Sequence, residues 1–444
     1  MGCIAFSETN LLALNVHLYC SILFGGSPMP ASLPRHVSFK PAHQFLYLTL
    51  LLSALVIMSA CGSSKASSLM NPTANTAATN AQPTQSAPSS NLGSGQGGTG
   101  NSKPEAMFVG DYVPEDPAPS GVITSYDVNL TNGAVNHVNN AFDNGTEAMA
   151  VNPAGTLLYV TEIGPTMAAY SIAPNGAISF KFDTVTIRAH SFTEGLAVHP
   201  NNQFVYAGAY TEGIIGYHAN PDGTMTELSG NPFKPESYVA GIEPSGKWLY
   251  GVATTPNGMG LVIPFKINAT TGALTAPLVI AIKTPNHQFA IGDARLDSQG
   301  KFLFVTDQAN NAIYTFLLNA RTGNAQQVGT TSTGSETPGF ITVTPSDSFV
   351  YVGSSTQPDI LGYSLSQGGT LSPINGGKPF TLQAPNSGGI RGVKADLSGH
   401  FLYANTVFYT NGLSIDPTTG ELKSVMSPMF DSNELTDIAF APLP

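Results

Sequence analysis

Residues 201–228 read NNQFVYAGAYTEGIIGYHANPDGTMTEL. Two short apolar runs alternate with polar residues, a Pro-Asp-Gly turn follows, and a third short run closes the stretch. Alternation with a period of two is typical of half-buried β-strands, and glycine supplies the positive φ that such turns need. The stretch therefore predicts three strands of an antiparallel meander.

The same phrase recurs along the chain after residue 105. Aligned on its aromatic position, it reads AGTLLYVTE (154–162), NNQFVYAGA (201–209), SGKWLYGVA (245–253), QGKFLFVTD (299–307), SDSFVYVGS (346–354) and SGHFLYANT (398–406). A shorter first copy is AMFVGDY (106–112). By subtraction, the steps between the aromatic positions 159, 206, 250, 304, 351 and 403 are 47, 44, 54, 47 and 52 residues. A repeat of this length indicates a solenoid, a propeller or an array.

Each copy holds four short strands, which is the content of one propeller blade. The first copy lacks its first strand, whereas ELTDIAFAPLP (434–444) matches a first strand and then stops. We therefore predict an all-β fold over residues 105–444: a seven-bladed β-propeller with four antiparallel strands per blade, in which the C-terminal strand closes the first blade. The alternatives, a β-solenoid or two unrelated sandwiches, do not explain this split blade.

The composition excludes two classes of function for the propeller. The formal net charge is −11 with only 17 Lys and Arg residues, and phosphate backbones need clustered cations, so we expect no nucleic-acid partner. The three cysteines, Cys3, Cys20 and Cys61, all precede the repeats. A disulfide framework and a cysteine-based metal site are therefore excluded within residues 105–444.

The N-terminal region has the features of an export signal. The stretch FLYLTLLLSALVIMSA (45–60) is apolar and uncharged and follows a weakly basic region that contains Arg35 and Lys40. At 16 residues it suits a signal-peptide core better than a membrane span. We assign residues 1–60 to this signal region and put forward Met29 as its true start. The alternatives are an uncleaved signal anchor and ordinary secretory cleavage after Ala60.

The residues MSAC (58–61) resemble a bacterial lipobox. This resemblance implies cleavage before Cys61, lipidation of Cys61, and a lipoprotein that is exported to the bacterial cell envelope and held on a membrane by its acyl chains. Residues 62–104 are rich in Ser, Thr, Asn, Gly and Pro and contain few large apolar side chains. Residues 61–104 are therefore predicted to form a lipidated, flexible tether.

The repeated phrase P-x-G-x-F-L-Y-V, followed by I-x-x-Y and T-G-x-L, resembles the lactonase-type seven-bladed propellers over about residues 105–444. That family includes the propeller 6-phosphogluconolactonases and the fungal carboxy-muconate cyclase. The resemblance implies a hydrolase that acts on a lactone or a related sugar acid. In typical members, two columns before the aromatic strand often read Arg-His, whereas only Arg391 keeps the arginine here.

The repeat alignment identifies residues that meet at one mouth of the central channel. The first column, six positions before the proline that precedes the aromatic strand, holds Glu147, Glu194, Tyr238, Gly292, Gly339, Arg391 and Thr436. The next column holds Ala148, Gly195, Val239, Asp293, Phe340, Gly392 and Asp437. Ring closure is expected to bring these four carboxylates and one arginine to one rim.

Lactone hydrolysis needs a group that stabilises charge on the carbonyl oxygen and a base that activates water. Arg391 suits the first role, and Glu194, Glu147 or His190 suits the second. We expect Asp293, Asp437, Tyr238 and His287 to contribute to binding of a small polar ligand or lactone. The expected cofactor is none, with a Ca²⁺ or Mg²⁺ ion on the carboxylates as an open alternative.

Two functions remain open from the sequence. The first is a secreted, lipid-anchored, lactonase-like hydrolase. The second is a non-catalytic propeller that binds a ligand, a glycan or an envelope protein, since a fold does not fix a function. Structural roles also remain open for the candidates: Arg391 could neutralise Glu147 or Asp437, and the histidines could be ordinary loop residues.

Overall fold

A computed structural model of the protein describes residues 104–113, 120–163, 166–185, 193–209, 212–384 and 388–444, with the side chains of 183–185, 193–194 and 239 outside the description. Within these ranges the chain forms 31 β-strands, numbered here in chain order, and one 3-10 turn at Asn375–Gly377. The predicted signal region, Cys61 and most of the tether lie outside the described residues, as does His190. In the described part, no helix is long and apolar enough to cross a membrane.

The strands form seven separate antiparallel sheets, which confirms the predicted seven-bladed propeller. From the first blade to the seventh, the innermost strands are β31 (Glu434–Pro442), β4 (Thr146–Val151), β8 (Thr193–Val198), β12 (Tyr238–Ile242), β17 (Ile291–Leu296), β21 (Pro338–Val343) and β26 (Ile390–Ala395). The second strands, which carry the aromatic phrase, are β1 (Glu105–Tyr112), β5 (Leu157–Glu162), β9 (Phe204–Ala209), β13 (Trp248–Thr254), β18 (Phe302–Asp307), β22 (Phe349–Ser354) and β27 (Phe401–Thr406).

Two further layers complete each blade. The third strands are β2 (Gly121–Val128), β6 (Thr166–Ile172), β10 (Gly213–Ala219), β14 (Gly260–Ile267), β19 (Ala312–Leu318), β23 (Asp359–Leu365) and β28 (Tyr409–Ile415). The outer strands are continuous in four blades: β3 (Val135–Asp143), β7 (Ile178–Val185), β11 (Met225–Glu227) and β20 (Ala325–Ser332). In the other three blades the outer layer is split into β15 (Leu274–Thr275) and β16 (Ile280–Ala281), β24 (Leu371–Pro373) and β25 (Phe380–Thr381), and β29 (Leu422–Ser424) and β30 (Met429–Phe430).

The C-terminal strand closes the ring as predicted. Strand β31 pairs antiparallel with β1, and Phe440 lies opposite Met107 in this pairing. Each innermost strand also contacts the innermost strands of the two neighbouring blades around the whole circle. Closure leaves the inner layer without an open edge at which further strands could add.

The aromatic phrase packs each blade against the next, which explains its repetition. The Tyr351 hydroxyl donates a 2.7 Å hydrogen bond to the carbonyl of Gly420, in the Thr-Thr-Gly turn of the next blade, and Tyr206 does the same to Gly272. Gly420 has a φ of +72°, and a Cβ built on it would lie 2.5 Å from Phe349. The turn therefore requires glycine both for its backbone conformation and for close contact with the preceding blade.

Every innermost strand carries a register shift near its start. In β4, Thr146 and Ala148 pair with the consecutive residues Glu162 and Thr161, so Glu147 is the extra residue. In β26, Arg391 is the extra residue in the same way. Equivalent irregularities occur in the other five innermost strands. A β-bulge redirects side chains at the rim of a closed sheet, and these bulges fall on or beside the two columns that the repeat alignment selected.

Candidate functional site

The seven innermost strands enclose a cavity of about 680 Å³ along the axis of the propeller. All seven contribute residues to its wall, from Thr146 to Val151 on β4 and from Glu434 to Phe440 on β31. The cavity has the size of a pocket for a small molecule. It is the channel that the sequence analysis predicted.

Four of the predicted site residues line this channel with charged or hydroxyl-bearing side chains: Glu147, Tyr238, Arg391 and Asp437. Glu147 is half-buried, whereas Arg391 is exposed at its bulge. Among the described residues, no carboxylate forms an ion pair with Arg391. The alternative that Arg391 only neutralises Glu147 or Asp437 therefore has no support in these contacts, and the Arg391 guanidinium is available to a ligand.

The structure does not describe the side chains of the other two candidate bases, Glu194 and His190, but it does describe the loop residue His287. Glu194 lies in β8, but its side chain is not described, and His190 falls outside the described residues. Their roles stay predictions. His287 lies in the loop between β16 and β17, is exposed, and is not part of the channel wall. The structure therefore does not bring His287 to the channel wall, its neighbour Asn286 donates a hydrogen bond to Asn310 instead, and the predicted binding role of His287 stays a prediction.

The Asp293 and Asp437 carboxylates join neighbouring blades, and their predicted role in ligand binding stays a prediction. Asp437 accepts hydrogen bonds from the backbone N–H of Met149 in the next blade, at 2.9 Å, and of Ile438, at 2.8 Å. Asp293 accepts the equivalent bonds from Ile341 in the next blade, at 3.0 Å, and from Ala294, at 2.7 Å. Each carboxylate thus satisfies backbone donors beside a bulge, where regular pairing is interrupted.

The hydroxyl of Tyr238 belongs to a hydrogen-bond network between two blades, and its predicted role in binding stays a prediction. The hydroxyl donates to the Asp293 carboxylate and accepts a 2.8 Å hydrogen bond from the Arg295 guanidinium. Arg295 lies 3.2 Å from the same carboxylate. Burial, more than any nearby charge, raises the pKa of Tyr238 well above its usual value, so its hydroxyl remains protonated and can donate.

Arg295 and Lys394 are channel residues that the sequence analysis missed. Burial lowers the pKa of Arg295, but the Asp293 carboxylate and other neighbours outweigh burial and hold that pKa above its usual value. Burial, followed by the Arg295 charge, lowers the pKa of Lys394. Both would have been found in the fourth column of the repeat alignment, which lies three positions after the first. That column reads Ala150, Ala197, Gly241, Arg295, Thr342, Lys394 and Ala439.

The described carboxylates give no support to a divalent-cation site. Across the described residues, no group of three or more His, Cys, Asp or Glu side chains is placed to hold a metal ion. The buried carboxylates of Asp293 and Asp437 already accept backbone hydrogen bonds through both of their oxygens. We therefore assign no residues to a metal.

Comparison with known sequences points to one family over part of the chain. Residues 243–385 match the sequence model of the family described as lactonase, 7-bladed beta-propeller. A 6-phosphogluconolactonase of Formosa agariphila is 28% identical over 158 residues, which make up 33% of this chain and 42% of that protein. The chain thus matches less than half of the length of this relative.

Comparison with solved structures extends the fold over the rest of the propeller. A periplasmic gluconolactonase of Pseudomonas aeruginosa superposes with a TM-score of 0.60 at 14% identity, covering 77% of this chain and 100% of that chain. A protein of Bacteroides uniformis described as a putative 6-phosphogluconolactonase gives a TM-score of 0.61 at 14% identity, covering 76% and 100%. At these identities the likeness shows the fold alone.

Proposed function

We propose that the protein is a lactonase-like propeller that is exported, lipid-anchored at Cys61, and hydrolyses a lactone or a sugar-acid ester in its channel. The family match over residues 243–385 supports the class of reaction. The signal-like N-terminal region supports export to the bacterial cell envelope, and one protein of the same fold is a periplasmic gluconolactonase.

The observation that carries this proposal is that Glu147 and Arg391 are both bulge residues lining one cavity. Strand β31 of the first blade lies between their strands in the ring, so both side chains border the same mouth. A carboxylate and a guanidinium around one small-molecule pocket are the groups that acyl hydrolysis requires.

In the proposed reaction, a water molecule attacks the lactone carbonyl while Glu147 removes a proton from it. The Arg391 guanidinium stabilises the negative charge that develops on the carbonyl oxygen. The acyl C–O bond of the ring then breaks, and the leaving ring oxygen takes the proton back from Glu147, which gives the hydroxy acid. Glu194 and His190 are alternative bases. General-base assistance contributes roughly 10²–10⁴-fold and an oxyanion donor about 10²–10³-fold to the rate.

A non-catalytic binding propeller is the second candidate. Its specific support is that no histidine lines the channel among the described residues, whereas typical lactonase-type members carry Arg-His pairs at these columns. In this case the same charged rim would bind a small polar ligand, a glycan or a segment of an envelope protein without turning it over.

A panel of lactones tests the two candidates with the full-length protein. Hydrolysis is followed by proton release for the wild-type protein, for Arg391→Ala and for Arg391→Lys. We expect turnover in the wild type, a loss of about 10²–10³-fold in Arg391→Ala, and partial recovery in Arg391→Lys. Turnover that is unaffected by Arg391→Ala would remove Arg391 from the site, and no turnover of any lactone would favour the binding propeller.

A further inference from the structure

The channel carries two further positively charged residues inside its rim. Arg295 on β17 and Lys394 on β26 belong to the fourth column of the repeat alignment, three residues further along the strand than Gly292 and Arg391. Three residues of a β-strand span roughly 10 Å. The channel therefore holds a second level of functional groups beneath the mouth.

The two cations lie on one side of this deeper level. Their blades, the fifth and the seventh, flank the sixth, whose fourth-column residue is the buried Thr342. The remaining blades carry only alanine or glycine at this column, and Ala150 and Ala439 form part of the channel wall. Small residues across from two cations leave space in which a ligand group can sit.

Lys394 is half-buried at this level. Among the described residues, neither an ion pair nor a hydrogen bond of its ammonium group is found. Arg295 contacts Asp293 and Tyr238 through one terminal nitrogen, whereas its buried Nε has no hydrogen-bond partner in the described part. A buried ionic donor without an acceptor is costly, so a ligand that supplies an acceptor to the Arg295 Nε, within reach of the Lys394 charge, is favoured.

The nearby Asp293 and Asp437 carboxylates act on both cations through their charge, but their hydrogen-bonding capacity is largely taken. Both oxygens of each carboxylate accept bonds from backbone N–H groups. In the described part, only Asp293 also contacts a channel cation, at 3.2 Å from Arg295. The Lys394 ammonium and the Nε of Arg295 are thus the ionic donors left for the acceptor atoms of a ligand.

We propose that Lys394 and Arg295 form an anion subsite inside the channel that binds the carboxylate or phosphate group of the ligand. The identity of that ligand as a lactone or its hydroxy acid rests on the function proposed above. Binding of the anion does not rest on it, because the subsite is built from side chains other than the proposed catalytic pair. The reacting end of the ligand then lies toward Arg391 and Glu147 at the mouth.

Calorimetric titration of the full-length protein at low ionic strength tests the subsite without any need for turnover. The probes are inorganic phosphate, gluconate and uncharged glucose. We expect one of the two anions to bind and glucose not to bind. Tighter binding of phosphate would identify a phosphorylated ligand, and tighter binding of gluconate a simple sugar acid.

Substitutions at Lys394 separate this subsite from a general effect of charge. Lys394→Met should weaken binding of the preferred anion by about 10-fold or more, and Lys394→Arg should restore most of the affinity. Lys266→Met, on the exposed face of β14, removes an equal charge and should leave affinity unchanged. Thermal unfolding should show Lys394→Met to be about as stable as the wild type, because the half-buried charge that is removed has no ion pair among the described residues.

Two results would overturn the subsite: no binding of either anion, or equal affinity in the wild type and a folded Lys394→Met. Neither depends on catalysis. A protein that binds anions through Lys394 but hydrolyses no lactone would keep the subsite and remove the proposed hydrolase. If the protein binds no anion, and Lys394→Met hydrolyses lactones as fast as the wild type does, the proposed hydrolase is kept and the anion subsite is removed.

Discussion

Glu147 and Arg391 occupy the same structural position on two innermost strands, since each is the extra residue of a β-bulge. One blade separates them, and both line the same cavity. In a regular strand the residue at this position would pair with the second strand of its own blade. The bulge releases this residue from that pairing. The blades can therefore carry different side chains at this position in the mouth of the channel.

The Asp437 contact with the next blade predicts a stability effect. Asp437→Asn replaces one acceptor oxygen by an amide donor, which then faces the backbone N–H of Met149 or Ile438. An unsatisfied buried donor costs about 1–3 kcal/mol, so the free energy of unfolding in urea should fall by that amount. Glu227→Gln, the same chemical change on the exposed outer strand β11, should have almost no effect. Equal stability of Asp437→Asn and the wild type would show that these bonds do not hold the blades together.

The Thr-Thr-Gly turn predicts a second stability effect, with a built-in control. Gly420→Ala adds a Cβ at positive φ and places it 2.5 Å from Phe349, so strain and overpacking together should cost about 2–4 kcal/mol. Gly334 has a φ of +70° but nothing within 4 Å of its Cβ position, so Gly334→Ala should cost only the strain, about 1 kcal/mol. Equal losses in urea unfolding would mean that packing of the turn against Phe349 contributes nothing.

The seam between the first and last blades predicts a dependence of stability on pH. Burial, and then the nearby Asp396 carboxylate, raise the pKa of Glu105 to about 8 from an ordinary value of 4.5. Because the folded state then holds a proton that the unfolded state has released, stability should fall as pH rises from about 5 to 8 and level off above that. Asp143 behaves similarly, but its pKa is raised only to about 6. Between pH 6.5 and 8, Glu105 should therefore dominate.

Urea unfolding at pH 6.5 and pH 8 measures this effect. The wild type should have a lower free energy of unfolding at pH 8 than at pH 6.5. In Glu105→Gln most of this difference should disappear, because the amide has no acidic proton to release. A pH dependence that persists unchanged in Glu105→Gln would assign it to other carboxyl groups.

The sequence repeat predicted most of the fold but only part of the candidate site. The number of blades, the order of the strands and closure by β31 all follow from the repeat period, which can be read directly from the sequence. The column that contains Glu147 and Arg391 follows from the same alignment. The roles of Asp293 and Asp437 could not be predicted, because their acceptors are satisfied by backbone N–H groups of the next blade, and a bulge is not visible in one sequence. Arg295 and Lys394 were missed because the alignment was followed for two columns rather than four.

A double-mutant cycle on lactone hydrolysis tests the central claim, that Glu147 and Arg391 act together on one substrate. The measurement is kcat/KM of the best lactone for the wild type, Glu147→Gln, Arg391→Ala and the double variant. Residues that act as a unit are strongly non-additive. The account predicts that each single change lowers kcat/KM by about 10²-fold or more and that the double variant is little slower than the slower single one. Wild-type turnover in either single variant, or losses that simply multiply in the double variant, would contradict it.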